Sequence, residues 1–210
     1  MRISGIRAGL PLGPAGLTAV ALAAGPAMAS STVAVPCSTS ALGDEGGAIY
    51  NESTALVKYS TFSYNQSSSS SEYGGALANA SFLAVAGSSL KGNSAPYGGA
   101  VYNEATLSLS GDSLSGNTAQ YGAGLYTEDL ATISTTTFQQ NTASSAGGGI
   151  YNGTSDGVNL TASQVTYNHA PAGEGGGIYN EGDVVLGSTT VRFNAANNCS
   201  PALSVTGCTG

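Results

Sequence analysis

Two short motifs recur six times along the chain at nearly constant offset, and this recurrence limits the fold more than any other feature. The first reads Gly-Gly-Ala-Val-Tyr-Asn at residues 98–103, and its closing position recurs as Asn51, Asn79, Asn103, Thr127, Asn152 and Asn180, at intervals of 28, 24, 24, 25 and 28. The second is an apolar residue three positions before an asparagine: Phe62 with Asn65, Leu90 with Asn93, Leu114 with Asn117, Phe138 with Asn141, Val165 with Asn168 and Val191 with Asn194. The two markers lie 14 residues apart in every copy but the fifth, where the segment Gly153-Thr154-Ser155-Asp156-Gly157 takes up two more. The return to the next copy varies from 10 to 14 residues. A repeat with one fixed half and one variable half is what a solenoid requires, because insertions loop out from one edge of a coil without disturbing the stacked core.

Within each copy, apolar residues fall two positions before the first marker (Ile49, Leu77, Val101, Leu125, Ile150, Ile178) and then in pairs two apart, as in Leu83 and Val85 or Leu107 and Leu109. Alternation with period two is a strand signal. With glycines at the corners, each copy reads as about three short strands and three turns, forming one coil. The expected fold is therefore an all-β parallel β-helix of about six coils over residues 46–198. A single coil buries too few side chains to offset the entropy of ordering it, so the coils must stack. Residues 30–45 are expected to form a short N-terminal cap or linker, and 199–210 a C-terminal tail.

The N-terminus stands apart from the repeats. Arg2 and Arg7 precede the apolar run Leu17 to Ala24, and Ala27-Met28-Ala29 offers a small-x-small cleavage site, so residues 1–29 read as a secretory signal peptide. Prolines 11, 14 and 26 interrupt the stretch, which is too short to span a bilayer, and no membrane span is expected once the leader is removed. Removing two arginines takes the formal charge from -7 to -9 and leaves Lys58, Lys91 and Arg192 as the basic residues. Nucleic acids and anionic membranes both call for clustered cations, so neither is an expected partner. Three cysteines suit an oxidising compartment; Cys199 and Cys208 are the natural disulfide pair, and Cys37 is left over.

The six asparagines at 65, 93, 117, 141, 168 and 194 are expected to form an internal ladder, each amide satisfied by its neighbours in adjacent coils. Tyr50, Tyr102, Tyr126, Tyr151 and Tyr179 form a second column, broken by Ala78. Each follows an inward position, so strand alternation points its ring outward. That column is the candidate binding face, an aromatic strip on which sugars could stack; the alternative is that the rings only cover one another and stiffen the outer face. Glu52, Glu104, Glu128 and Glu181 follow the first marker. A calcium-binding coil would want Asp within the motif, where Asn or Thr stands instead, so no metal or other cofactor is expected. No catalytic residue is assigned: Asp112, Asp129, Asp156 and Asp183 are scattered, His169 is the single histidine, and Lys91 and Arg192 are four coils apart.

Gly46-Gly47-Ala48-Ile49, Gly74-Gly75-Ala76-Leu77 and Gly98-Gly99-Ala100-Val101, with Phe62-Ser63-Tyr64-Asn65 and Phe138-Gln139-Gln140-Asn141, resemble the paired GGA[ILV] and FxxN repeats of the chlamydial polymorphic outer-membrane proteins and of exported bacterial right-handed parallel β-helix proteins. The resemblance covers residues 46–198. It implies a right-handed coil and a secreted or cell-surface location. Val35-Pro36-Cys37-Ser38 resembles the start of the N-terminal cap in such proteins, where a longer segment with a second cysteine would follow. The function expected is that of a secreted or surface-exposed, non-catalytic, adhesin-like scaffold with a glycan, cell-envelope or protein partner. The alternatives are a carbohydrate-active enzyme of the β-helix class and a shortened version of a longer β-helix. Oligomeric state is left open by the sequence.

Overall fold

The computed structural model describes residues 6–8, 31–33, 42–43, 47–67, 73–153, 156–171, 173–201 and 204–208. Every element in it is a short strand, and the strands stack into a parallel β-solenoid of about six coils. None of its elements is a helix able to cross a membrane.

Four sheets run along the solenoid, one more than the three strands per coil expected from the sequence. The first sheet stacks Ile49–Asn51, Leu77–Asn79, Val101–Asn103, Leu125–Thr127, Ile150–Asn152 and Ile178–Asn180. The second stacks Thr54–Lys58, Phe82–Ala86, Leu107–Ser110, Ala131–Ser134, Val158–Thr161 and Val184–Gly187. The third runs through Thr61–Ser63, Ser89–Lys91, Ser113–Ser115, Thr137–Gln139, Gln164–Thr166 and Thr190–Arg192. The unanticipated fourth contains Gln66–Ser67, Ser94–Tyr97, Thr118–Tyr121 and Thr142–Ala146. Its inward residues are small, Ser67, Ala95 and Ala143 among them, and Ala119 and Ala143 cluster with Ala123 and Ala170 of the adjoining segments, so it lacks the large apolar pair that marks a strand in sequence.

The first three sheets enclose one continuous apolar core that runs the length of the rod. Strand alternation sets its composition. Leu107 and Leu109 are buried while Ser108 and Ser110 face outward, and the same alternation recurs in register in neighbouring coils. The repeated Gly-Gly has a steric cause at each position. Gly98 sits at φ +62°, a region that side chains rarely adopt, and a Cβ on Gly99 would fall 2.5 Å from the carbonyl oxygens of Ala123 and Thr118. The coils approach closely at Gly99, and in the next coil the matching position holds nothing larger than Ala123.

The two ends are finished differently. At the C-terminal end the first sheet continues into Cys199–Ser200, the Cys199–Cys208 disulfide is formed with a Cα separation of 6.3 Å, and Val205 packs into the core. The last core residues of the second and third sheets, Leu186 and Val191, are only partly buried, because no described strand follows Val184–Gly187 or Thr190–Arg192. At the other end Ile6–Ala8 pairs antiparallel with Ile49–Asn51, Ser31–Val33 pairs with Thr54–Lys58, and Leu42–Gly43 pairs with Gln66–Ser67. Ile6–Ala8 falls within the expected leader. The expected cleavage site at residues 27–29 and Cys37 lie outside the described residues.

Candidate functional site

Three polar columns run through the solenoid, and they account for most of the regular polar residues. In the expected ladder, the Nδ2 of Asn65 donates to Oδ1 of Asn93 at 2.8 Å, and the same bond links Asn93 to Asn117, Asn117 to Asn141, Asn141 to Asn168 and Asn168 to Asn194 at 2.9 to 3.0 Å. Each acceptor oxygen also takes the backbone N-H of the preceding asparagine. Asn194 ends the series by donating to Oδ1 of Asn198, four residues on. Such buried amides are fully committed to holding coils together.

A second ladder, not anticipated, uses the first marker. Asn51 donates to Asn79 and Asn79 to Asn103, both at 2.7 Å, and Asn152 donates to Asn180 at 2.8 Å. Thr127 breaks it. Its hydroxyl accepts from Asn103 at 2.9 Å but donates to the carbonyl of Asp129, so nothing reaches across to the next coil, and Oδ1 of Asn152 is buried without a hydrogen-bond partner among the described residues. The columnar recurrence of Asn at the first marker was the available signal.

The third column is made of hydroxyls at the corner between the second and third sheets, with Ser88, Thr136 and Ser163 each donating to the carbonyl two residues back. Asp112 is its one carboxylate. It is buried, with Oδ1 accepting the Ser88 N-H at 2.7 Å and Oδ2 accepting the Ser110 N-H at 2.9 Å. Burial pushes its pKa up to about 6, and these two hydrogen bonds offset only part of that rise. Its regular place in the column makes it a structural group rather than a catalytic acid.

The tyrosine column is stacked, and at its centre the rings cover one another rather than forming an open face. Tyr102, Tyr126, Tyr151 and Tyr179 stack with ring centroids 4.9 to 5.3 Å apart. Tyr73 lies against Tyr102 at 4.1 Å and fills the space left by Ala78. A parallel pair, Tyr97 and Tyr121, packs edge-on against Tyr126 and Tyr151. Tyr102 is consequently only 2% exposed and Tyr151 is buried, while Tyr50, Tyr126 and Tyr179 are half-buried. The phenol of Tyr102 donates to Oε1 of Glu104 at 3.0 Å and that of Tyr126 to Oε1 of Glu128 at 3.2 Å. Burial, followed by the charges of neighbouring glutamates, raises the phenol pKa values of Tyr102 and Tyr126 above their ordinary range. For Tyr151, burial is followed by its hydrogen bond to Glu181. The Tyr-x-Glu spacing puts both residues on one side of the strand, a signal present in the sequence.

Sequence reasoning missed the four most exposed aromatics among the described residues, a fifth, Phe82, being less exposed on the second sheet. Tyr59 is 80% exposed, Tyr64 66%, and Tyr167 and Phe193 59% each. All four have positive φ, from 50° to 58°. They occupy two corner columns beside the third sheet where coils two and three carry Gly87, Gly111, Gly92 and Gly116, also at positive φ. A side chain in this left-handed region costs roughly 1 kcal/mol against glycine's near indifference. Tyr64 lies over Gly92, where a Cβ would come within 2.7 Å of its ring, and Tyr59 lies over Gly87 in the same way. Tyr167 stacks on Phe193 with centroids 5.3 Å apart, and the guanidinium of Arg192 sits 5.0 Å from the Phe193 ring centre. The signal for Tyr64, Tyr167 and Phe193 was a ring immediately before the ladder asparagine, where coils two and three use glycine and coil four uses Gln140; Gln140 and, in the other corner column, Thr135, Ala162 and Ser188 share the positive φ.

Among the described residues the remaining carboxylates form no cluster of three or more that could hold a metal ion. Glu52, Glu104, Glu128, Asp129, Asp156, Glu181 and Asp183 lie in the connections between the first and second sheets, and Glu174 lies between the fourth and the first. His169 is exposed in the fourth-sheet column, bridging Thr142 and Ala195 through its backbone.

Comparison with known proteins gives one family. Residues 135–153 match the Chlamydia polymorphic membrane protein (Chlamydia_PMP) repeat. No curated protein and no solved structure matches the chain. The matched span runs from the corner before Thr137–Gln139 through Asn141 and the Gly-Gly-Gly-Ile-Tyr-Asn motif to the residue after Asn152, and the other coils repeat the same two markers in structural register. The chain is thus a parallel β-solenoid built from repeats similar to that of the Chlamydia polymorphic membrane proteins.

Proposed function

We propose that the protein is a non-catalytic scaffold displayed at the cell surface, which binds a glycan or another envelope component through its outer corners. The observation that carries this reading is the exposure of Tyr59, Tyr64, Tyr167 and Phe193 in backbone conformations that glycine would adopt with less strain. Neither core packing nor coil stacking requires large rings at those positions, and strained, exposed residues concentrate where a protein meets something else. The repeat-family match supports surface display, since that family is associated with the outer-membrane surface. An adhesin-like role fits the same features. Three of the described carboxylates are engaged within the stack: Asp112 sits in a hydroxyl column, and Glu104 and Glu128 accept tyrosine hydroxyls.

Two measurements test the proposal. Antibody labelling of intact cells should detect the chain without permeabilisation, and purified protein should sediment with isolated envelopes. Labelling only after lysis, together with no envelope binding, would overturn it.

A further inference from the structure

The charges are sorted around the coil in a way that the repeat does not demand. Lys91 and Arg192 both project from the outer face of the third sheet, in one register column, and Lys58 ends the neighbouring strand beside Tyr59. Among the described residues these are the Lys and Arg side chains from residue 47 onward. Apart from the buried Asp112, the described carboxylates all lie in the first-to-second and fourth-to-first connections, so the third-sheet face has no exposed carboxylate. The rest of that face is polar and uncharged, with the hydroxyls of Thr61, Ser63, Ser89, Ser113, Ser115, Thr137 and Thr190 and the amides of Gln139 and Gln164 outward or partly exposed. Its corners carry the exposed rings, with Tyr59 and Tyr64 at one end and Tyr167 and Phe193 at the other.

Taken together, these observations describe a flat polar strip, rich in hydroxyls and without a described exposed carboxylate, roughly 24 Å long given about 4.8 Å between its strands. Aromatic rings border both ends, and two cations lie about 19 Å apart along it. Resting on the surface-scaffold reading above, we infer that the third-sheet face binds a linear carboxylated polysaccharide laid along the solenoid axis. An extended sugar chain has what the strip can hold. Its hydroxyls match the Ser and Thr row, its apolar ring faces match tyrosine and phenylalanine, and a carboxylate matches the planar fork of Arg192. The wide spacing of the cations suits a sparsely charged polymer. A nucleic acid or a heavily sulfated chain would need clustered Lys and Arg.

Binding of the purified chain to hyaluronan, polygalacturonate, neutral dextran, dextran sulfate and a single-stranded oligonucleotide tests the inference, together with the triple variant Tyr167→Gly, Phe193→Gly, Arg192→Ser and the single variant Lys91→Ser. The expected result is binding to the carboxylated polymers, weakened by salt. The triple variant should bind at least tenfold more weakly, with a melting temperature close to that of the parent, because relief of the corner strain offsets the lost ring contacts. Lys91→Ser should weaken binding severalfold and flatten its salt dependence. Equal binding to dextran, preference for the sulfated polymer or the oligonucleotide, no binding to the carboxylated polymers, or an unaltered triple variant would each overturn the inference. Envelope sedimentation of the same variant separates this proposal from the broader one. Retained sedimentation by the triple variant rejects this face alone, and failure of the parent chain to sediment counts against the scaffold reading itself.

Discussion

Tyr102 and Tyr64 are the same residue in the same solenoid, one 2% exposed and the other 66% exposed, and the difference between their columns separates what builds this rod from what the rod presents. Tyr102 occupies an ordinary strand position, stacked between Tyr73 and Tyr126 with its hydroxyl held by Glu104. Every polar and apolar demand of that side chain is met within the molecule. Tyr64 sits at a corner with φ +55°, where the next two coils use glycine. Its ring covers Gly92 but remains mostly in solvent. The first column stabilises the stack; the second adds local strain and gains little burial. Regularity in a repeat protein therefore marks structure, and departure from regularity marks the places open to function.

The largest expected effect is in the buried column. Tyr102→Ala removes a ring packed on both faces and should destabilise the chain by about 3 kcal/mol in urea unfolding, within the range for large-to-small substitution of buried aromatics. A loss below about 1 kcal/mol would break the distinction between the columns.

Asp112 comes next. Its pKa is raised in the folded state, so the native protein binds the proton more tightly than the unfolded chain does. Stability is then greatest below the unfolded value near 4 and falls as pH rises through about 6. Asp112→Ser supplies the hydroxyl used by the rest of the column. It should raise stability above pH 7 by about 1 to 2 kcal/mol and remove the decline between pH 4 and 6. An unchanged pH profile would show that Asp112 is not the group responsible.

A smaller gain is expected from Thr127→Asn. The new amide would accept from Asn103 and donate to the orphaned Oδ1 of Asn152, closing the second ladder. Stabilisation of about 1 kcal/mol should follow, measured by the same unfolding assay. Smallest of all, Tyr167→Gly and Phe193→Gly should each leave stability within about 1 kcal/mol of the parent, because relief of left-handed strain offsets the lost ring contact and the greater freedom of glycine in the unfolded chain. A loss comparable to that of Tyr102→Ala would mean that the corner rings are structural after all.

Much of the fold was legible because solenoid coils impose their demands at every turn. The apolar residues at the first marker minus two and at the Leu107 and Leu109 positions line the core, and the Asn65 to Asn194 ladder bonds as its spacing implied. The fourth sheet was hidden because alanine and threonine fill it, and their pattern does not separate a strand from a loop. For the tyrosine column the sequence left two readings, an open face or rings that cover one another, and it could not say which describes Tyr102 and Tyr151. Alternation tells which way a side chain points, whereas the rings that cover it, Tyr73, Tyr97 and Tyr121, come from other strands and connections. The exposed corners escaped notice because positive φ is a property of the turn and was visible only indirectly, as glycine in the neighbouring coils.

The division between buried and exposed tyrosines can be read directly by limited nitration of the native chain, with modified residues mapped by mass spectrometry. The account predicts early modification of Tyr59, Tyr64 and Tyr167, while Tyr102 and Tyr151, covered by neighbouring rings and held with raised phenol pKa values, stay unmodified until the solenoid unfolds. Modification of Tyr102 at the rate of Tyr64 in the folded protein would contradict it.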